Sequence, residues 1–156
     1  MTQTMKIMTA VDLSEYSAAA VRYSLWLAMK IDAELLLVSV INQRDLALVQ
    51  RAMAGYEAFA FPNYLSDQER DRKTKMKDLF EAVSPGTVKC RYLVQIGTPY
   101  QELLSAIESE KPSLMVVCTK GRSNLADVVV GSTARKLYRR SPIPLLTIPA
   151  GFKELP

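Results

Sequence analysis

Residues 114–122 read Leu-Met-Val-Val-Cys-Thr-Lys-Gly-Arg, and Gly131-Ser132-Thr133 follows a short way downstream. The run 114–118 is apolar throughout and of strand length, the pattern of a strand covered on both faces. A loop with two cations and a glycine comes next, then a second glycine at the start of a helical pattern that ends in Arg139-Arg140. Cations suit that end of a helix, where its dipole is negative. A buried strand, a loop and a helix make half of a β-α-β unit. The fold turns on whether the rest of the chain repeats it.

It does. Residues 6–11 and 34–40 are apolar strands, the second with the core Leu35-Leu36-Leu37-Val38. A third spans 88–96, closed by Gly97, and 143–148 is the last. Ser14 can cap a helix running to about residue 31, with Val21, Leu25 and Ala28 at helical spacing. Pro99 suits the first turn of another, with Leu103, Leu104 and Ile107 as its core face and Pro112 as its stop. Ser66 and Glu69 form a capping box before a helix carrying Met76, Leu79, Phe80 and Val83, which Ser84-Pro85-Gly86 ends. Strands alternating with helices imply the α/β class: one domain, a doubly wound five-stranded parallel sheet, and helices on both faces. Pro144 and Pro149 cannot donate ladder hydrogen bonds, so the last strand belongs at a sheet edge. Residues 42–65 fall outside this pattern and contain Tyr56, Phe59, Phe61 and Tyr64. They read as a partly helical insertion packed on the core, with a ligand or a second subunit as the other surfaces it could cover.

Composition removes whole classes of chemistry. The 156 residues suit one domain, and 49% hydrophobic with 23% charged residues excludes disorder and low complexity. Histidine is absent, which excludes Ser-His-Asp and Cys-His catalysis and histidine metal sites. Cys90 and Cys118 form no C-x-x-C pair, so zinc and thioredoxin-type chemistry are not expected, and both thiols read as packing. An unstapled domain with two lone thiols fits a cytoplasmic location. The first eleven residues lack a signal-peptide core, and no apolar stretch is long enough to span a bilayer. The net charge of +4 is modest, and the charge run at 67–78 mixes both signs. That run reads as a solvated helix face, so no nucleic-acid partner is expected.

Ligands of doubly wound sheets bind beyond the carboxyl ends of the strands. Two loops there carry chemistry. In Ala10-Val11-Asp12-Leu13-Ser14, the Asp12 carboxylate can accept hydrogen bonds from sugar hydroxyls, hold a hydrated cation, or bond the first amides of the next helix. The residues leave these open. In the second loop, Gly121 and Gly131 permit positive φ or close backbone approach, and a helix start offers amides to a phosphate. Ser132 and Thr133 add hydroxyls, Lys120 and Arg122 add charge. No Walker pattern and no evident general base occur, so dedicated catalysis is not expected.

Gly121, the nine residues after it, and Gly131-Ser132 match the second and third parts of the motif G-x-x-G, nine residues, G-S or G-T. That motif belongs to the nucleotide-binding members of the universal stress protein family. Val11-Asp12-Leu13-Ser14 and the segment Ser-Pro-Ile-Pro-Leu-Leu-Thr-Ile at 141–148 also look like the family, which the chain resembles over residues 6–148. One position departs: Cys118 stands where the first glycine is expected. The resemblance implies strand order 3-2-1-4-5 and a homodimer through the edge strand at 143–148. It implies ATP or AMP as ligand, with Mg2+ as an optional companion. Asp12 would lie near ribose and adenine, and the backbone at Val40 would face the adenine. Gly121, Gly131, Ser132 and Thr133 would hold ribose and phosphates, with Ala10, Val117, Cys118, Lys120 and Arg122 completing the set. The function so implied is a cytosolic, dimeric, adenine-nucleotide-binding stress-response module. The alternative, which Cys118 favours, is a family member that binds no nucleotide and acts as a dimeric protein-interaction module.

Overall fold

The apolar runs lie side by side as five parallel strands in the order β3-β2-β1-β4-β5 in the computed structural model, which describes residues 3–83, 86–120, 130–153 and 155. Along the chain the elements are β1 (Lys6–Ala10), α1 (Ser17–Ile31), β2 (Glu34–Asn42), α2 (Gln43–Ala52), α3 (Phe61–Ala82) and β3 (Cys90–Gly97). They continue with α4 (Pro99–Glu110), β4 (Leu114–Cys118), α5 (Ser132–Arg140) and β5 (Leu145–Ile148). β1 is the centre: Met8 stands opposite Leu36 on one side and Met115 on the other. β5 is an edge, in keeping with the prolines that flank it, Pro144 and Pro149.

Successive strand residues point to opposite faces, and each face has its own core. Ile7, Leu35, Leu37 and Val116 pack with Val21, Leu25 and Ala28 of α1 and with Met76 and Phe80 of α3. Met8, Leu36, Val38, Met115 and Val117 pack with Leu103 and Ile107 of α4 and Leu137 of α5. The apolar runs of the three inner strands follow from this, since β1, β2 and β4 are covered on both faces, whereas the edge strands β3 and β5 are partly open. At the amino ends of the strands, Glu110 accepts from Lys6 Nζ at 3.3 Å and from Arg91. Burial works to raise its pKa, but the bonds and charges of Arg91 and Lys6 hold the carboxyl below its ordinary range. Its contribution is therefore lost as pH falls through that lowered value.

Local signals were met differently in three places. Ser66 caps nothing: α3 begins five residues earlier at Phe61, with Pro62 in the first turn and Ala60 as N-cap, so the capping box lies inside a helix. Proline in a first turn supplies a helical φ and lacks an N–H that would have no partner there. Ser14 is likewise not the cap of α1, whose N-cap is Tyr16. The segment 42–65 is mostly exposed. It holds α2 and the first turn of α3, but of its residues only Leu46 is buried, and Tyr56 is 65% exposed. Phe59 and Phe61 each contact Tyr64, with ring centroids 5.7 and 6.4 Å away, so these three half-buried aromatics form a small cluster outside the two cores. Asn42 ends β2 and caps α2, accepting from Arg44 N at 3.0 Å.

Candidate functional site

β1 and β4 are neighbours, and their connections leave toward opposite faces, to α1 on one and α5 on the other. Such a divergence opens a crevice at the carboxyl ends of the two strands. A cleft of about 730 Å³ lies there. Ala10 and Asp12 enter it from β1, Val40 from β2, and Val117, Cys118 and Lys120 from β4. Gly131, Ser132 and Thr133 enter from the start of α5. Nine residues singled out from sequence thus share one cleft. Gly121 and Arg122 lie outside the described residues.

The geometry resolves what each can do. Asp12 Oδ1 accepts from Ser14 N at 2.9 Å and from Ser17 Oγ at 3.0 Å, so this oxygen braces the turn into α1. The carboxylate still lines the cleft. Between them Leu13 adopts φ 63°, a left-handed conformation that is costly for a leucine. Gly131 has φ −63° and ψ 160°, which any residue adopts, and its N–H donates to Thr119 O. Glycine is therefore not required here by conformation. What it leaves is space beside the amides of the α5 N-terminus.

Cys118, at the first motif position, is not among the described residues with positive φ. Its thiol donates to Tyr16 O at 3.0 Å, next to α1. Burial, then the Asp12 charge, push the thiol up to about 11, and burial does the same to Cys90. Thiolate is the reactive form, so both thiols should be slow nucleophiles. Iodoacetamide at pH 8 is expected to label the native protein at least about tenfold more slowly than the urea-unfolded chain. Rapid native labelling of Cys118 would reject this picture. Both raised values also favour the folded state below pH 9, with that contribution lost as pH rises through about 11.

Sequence reasoning missed several lining residues. Arg72 of α3 is buried, its Nη1 donating to Ser39 Oγ at 2.8 Å and to Val40 O at 3.4 Å. Its neighbours in the charge run are solvated as expected, Lys75 pairing with Asp71 at 2.8 Å on the exposed face. The signal was present, because Arg72, Met76 and Phe80 recur every four residues and are the buried residues of α3. Thr98 and Tyr100 arrive with α4, Arg44 and Asp45 with α2, and Arg135 and Lys136 with α5. Among the described lining residues, Arg44, Arg72, Lys120, Arg135 and Lys136 face Asp12 and Asp45, so the cleft favours an anion. No group of three or more Cys, Asp and Glu among the described residues could hold a metal ion. Among those residues, no helix is long and apolar enough to cross a membrane.

Comparison with known proteins gives the same architecture. The chain is 22% identical over 151 residues to the universal stress protein MJ0577 of Methanocaldococcus jannaschii, covering 92% of this chain and 93% of that one. A solved structure of MJ0577 superposes with a TM-score of 0.77 at 20% identity, covering 97% of this chain and all of the other. A universal stress protein in complex with cAMP superposes at 0.63 with 20% identity, covering 94% and 98% of the two chains. One from Archaeoglobus fulgidus in complex with dAMP superposes at 0.62 with 13% identity, covering 92% and 97%. The model of the universal stress protein family matches residues 4–149, almost the whole of the sequence. By that match, the chain belongs to the universal stress protein family.

Proposed function

We propose that the cleft binds an adenine nucleotide, ATP or AMP, and that the chain acts as a dimeric cytoplasmic module of a stress response. The observation that carries this reading is the convergence of Asp12, Val40, Gly131, Ser132 and Thr133 on one cationic cleft of about 730 Å³. That volume is in the range of small-molecule sites. The backbone of Val40 would meet the adenine, Asp12 the ribose, and the first amides and hydroxyls of α5 the phosphates. Lys120 adds charge, while Ala10, Val117 and Cys118 shape the floor. Magnesium would enter on the phosphates, with Asp12 and Asp45 as the lining carboxylates. The cAMP and dAMP complexes of related folds support the ligand class. We assign no catalytic residue, and binding with its effect on a partner is the activity proposed.

Dimerisation is assigned to the outer edge of β5, where a second copy can pair. Two free thiols suit a reducing compartment. Calorimetric titration of nucleotide-stripped protein with ATP, with and without magnesium, and with AMP tests the ligand. Dissociation constants of micromolar order are expected, with a dimer in light scattering at the same concentrations. No heat and no thermal shift with any nucleotide would overturn the reading. The second reading, a dimeric protein-interaction module without nucleotide, would then hold. Cys118 at the first motif position is the observation that favours it.

A further inference from the structure

Thr119, the first residue after β4, is bonded on three sides. Its N–H donates to Ile148 O at 3.0 Å, which carries the β4–β5 ladder one step past the strand ends. Its carbonyl accepts from Gly131 N, and its hydroxyl oxygen accepts from Ala150 N at 3.3 Å. The bond to Gly131 bears on the cleft. Gly131 is the N-cap of α5 and makes no side-chain cap bond. A backbone bond to Thr119 therefore ties the start of that helix to the end of β4.

The bond to Ala150 leads out of the cleft, to a turn after β5. Phe152 N donates to Pro149 O at 3.1 Å and closes four residues into a turn. Gly151 has φ 83°, the left-handed value that a type II turn takes at its third residue. The turn sets the Phe152 ring edge-on to Tyr23 of α1, with centroids 5.7 Å apart, and the ring packs on the core that α1 and α3 cover. Thr119 lines the cleft, whereas Ala150 and Phe152 are not among its described lining residues. A turn that served only to cover the core would need its aromatic ring alone. This one is also hydrogen-bonded, through a side chain, to the residue that holds the start of α5.

We infer that Thr119 is a positioning residue of the cleft, and that the docked turn 149–152 holds it in place. When Phe152 lifts from Tyr23, the Ala150 amide turns to water and the Thr119 hydroxyl loses that donor. The end of β4 and the start of α5 then move more freely together. The inference rests on the nucleotide reading above, since the helix start that Thr119 positions is the one offered there to the phosphates. Coupling of this kind is reciprocal, so a bound nucleotide must in turn favour the docked turn.

The test sets the natural chain beside Thr119→Val, Thr119→Ser, Phe152→Ala and the double variant Thr119→Val/Phe152→Ala. Calorimetry gives the affinity for ATP, and a melting curve on each sample confirms folding. Timed chymotrypsin digestion, read by mass spectrometry with and without saturating ATP, gives the rate of cleavage after Phe152. Valine keeps the shape of threonine and removes the acceptor, and serine keeps the acceptor. Thr119→Val and Phe152→Ala are each expected to bind ATP at least about fivefold more weakly. Thr119→Ser should stay within about twofold of the natural chain. The double variant should lie within about twofold of the weaker single one, because both changes release the same element. Saturating ATP should slow cleavage after Phe152 at least about fivefold in the natural chain and under about twofold in Thr119→Val. A turn that only adds stability would lower the melting temperature of Phe152→Ala and leave its ATP affinity unchanged. That result overturns the inference and leaves the nucleotide reading standing, and so does cleavage that ATP does not slow in the natural chain. Weaker binding in Thr119→Val with natural affinity in Phe152→Ala also overturns it, because Thr119 would then act by direct contact. If the natural chain binds no nucleotide, both readings fall.

Discussion

Gly131→Val is expected to weaken nucleotide binding at least about thirtyfold, or about 2 kcal/mol, in a protein that stays folded. The backbone at Gly131 has φ −63° and ψ 160°, which valine accepts without strain. A Cβ there would meet Thr119 O at 3.4 Å, an ordinary contact. The structural cost is that of a poor N-cap residue, about 0.5–1 kcal/mol. The functional cost is larger, because a branched side chain would stand beside the amides of Ser132 and Thr133, where a phosphate must come close. Calorimetry and a melting curve on the same sample separate the two costs. Unchanged affinity in a folded Gly131→Val protein would falsify the placement of the phosphates. Gly131→Ala, with one methyl group, should fall between.

Leu137→Ala is expected to cost about 3 kcal/mol of stability, from lost burial and the cavity left behind. For a chain of this length that lowers the melting temperature by about 6–12 °C. The size follows from how α5 is attached. Of its nine residues only Ala134 and Leu137 are buried, and Leu137 is 0% exposed in the core shared with α4. Ala134 shares that core, and Lys136 and Arg140 stack on Tyr100 of α4, with Arg140 Nη1 donating to its hydroxyl at 3.5 Å, contacts in which both cations are exposed to solvent. Loosening α5 should also weaken nucleotide binding, since Ser132 and Thr133 ride on it. A melting temperature within about 2 °C of the natural value would show that other contacts hold this helix.

The inner strands were legible because they are covered on both faces, which leaves runs such as Leu35-Leu36-Leu37-Val38 with no polar interruption. Element ends were not, and the reasons are specific. β2 runs on to Asn42 because that residue pairs with Gly97 of β3, a partner 55 positions away that no local window contains. Ser14 falls one turn short of capping α1, because its hydroxyl accepts from Tyr16 N at 3.3 Å in the turn before the helix, a turn that Asp12 also braces through Ser14 N and Ser17 Oγ. The site was half legible. Asp12, Lys120 and Gly131-Ser132-Thr133 announced themselves by type and place, while Ala10, Val40 and Val117 came only with the family resemblance. Arg72 was hidden among solvated charges, and Thr98, Tyr100 and Arg44 reach the cleft only through tertiary packing.

The neighbours of β1 also set an order of assembly. Met8 pairs with Leu36 and with Met115, so one side of the central strand can be completed early and the other waits for most of the chain. On a ribosome adding about 5–20 residues per second, the β1-β2-β3 half emerges well before β4 and α5. Asp12 and Val40 are then in place while the opposite wall is still unsynthesised. If the proposed nucleotide binds there, it cannot template folding of the nascent chain. Such a ligand would act only as a late lock on a nearly finished protein, adding stability in proportion to the logarithm of its concentration. The cellular nucleotide pool would bear on the lifetime of the mature protein and not on how fast that protein is made.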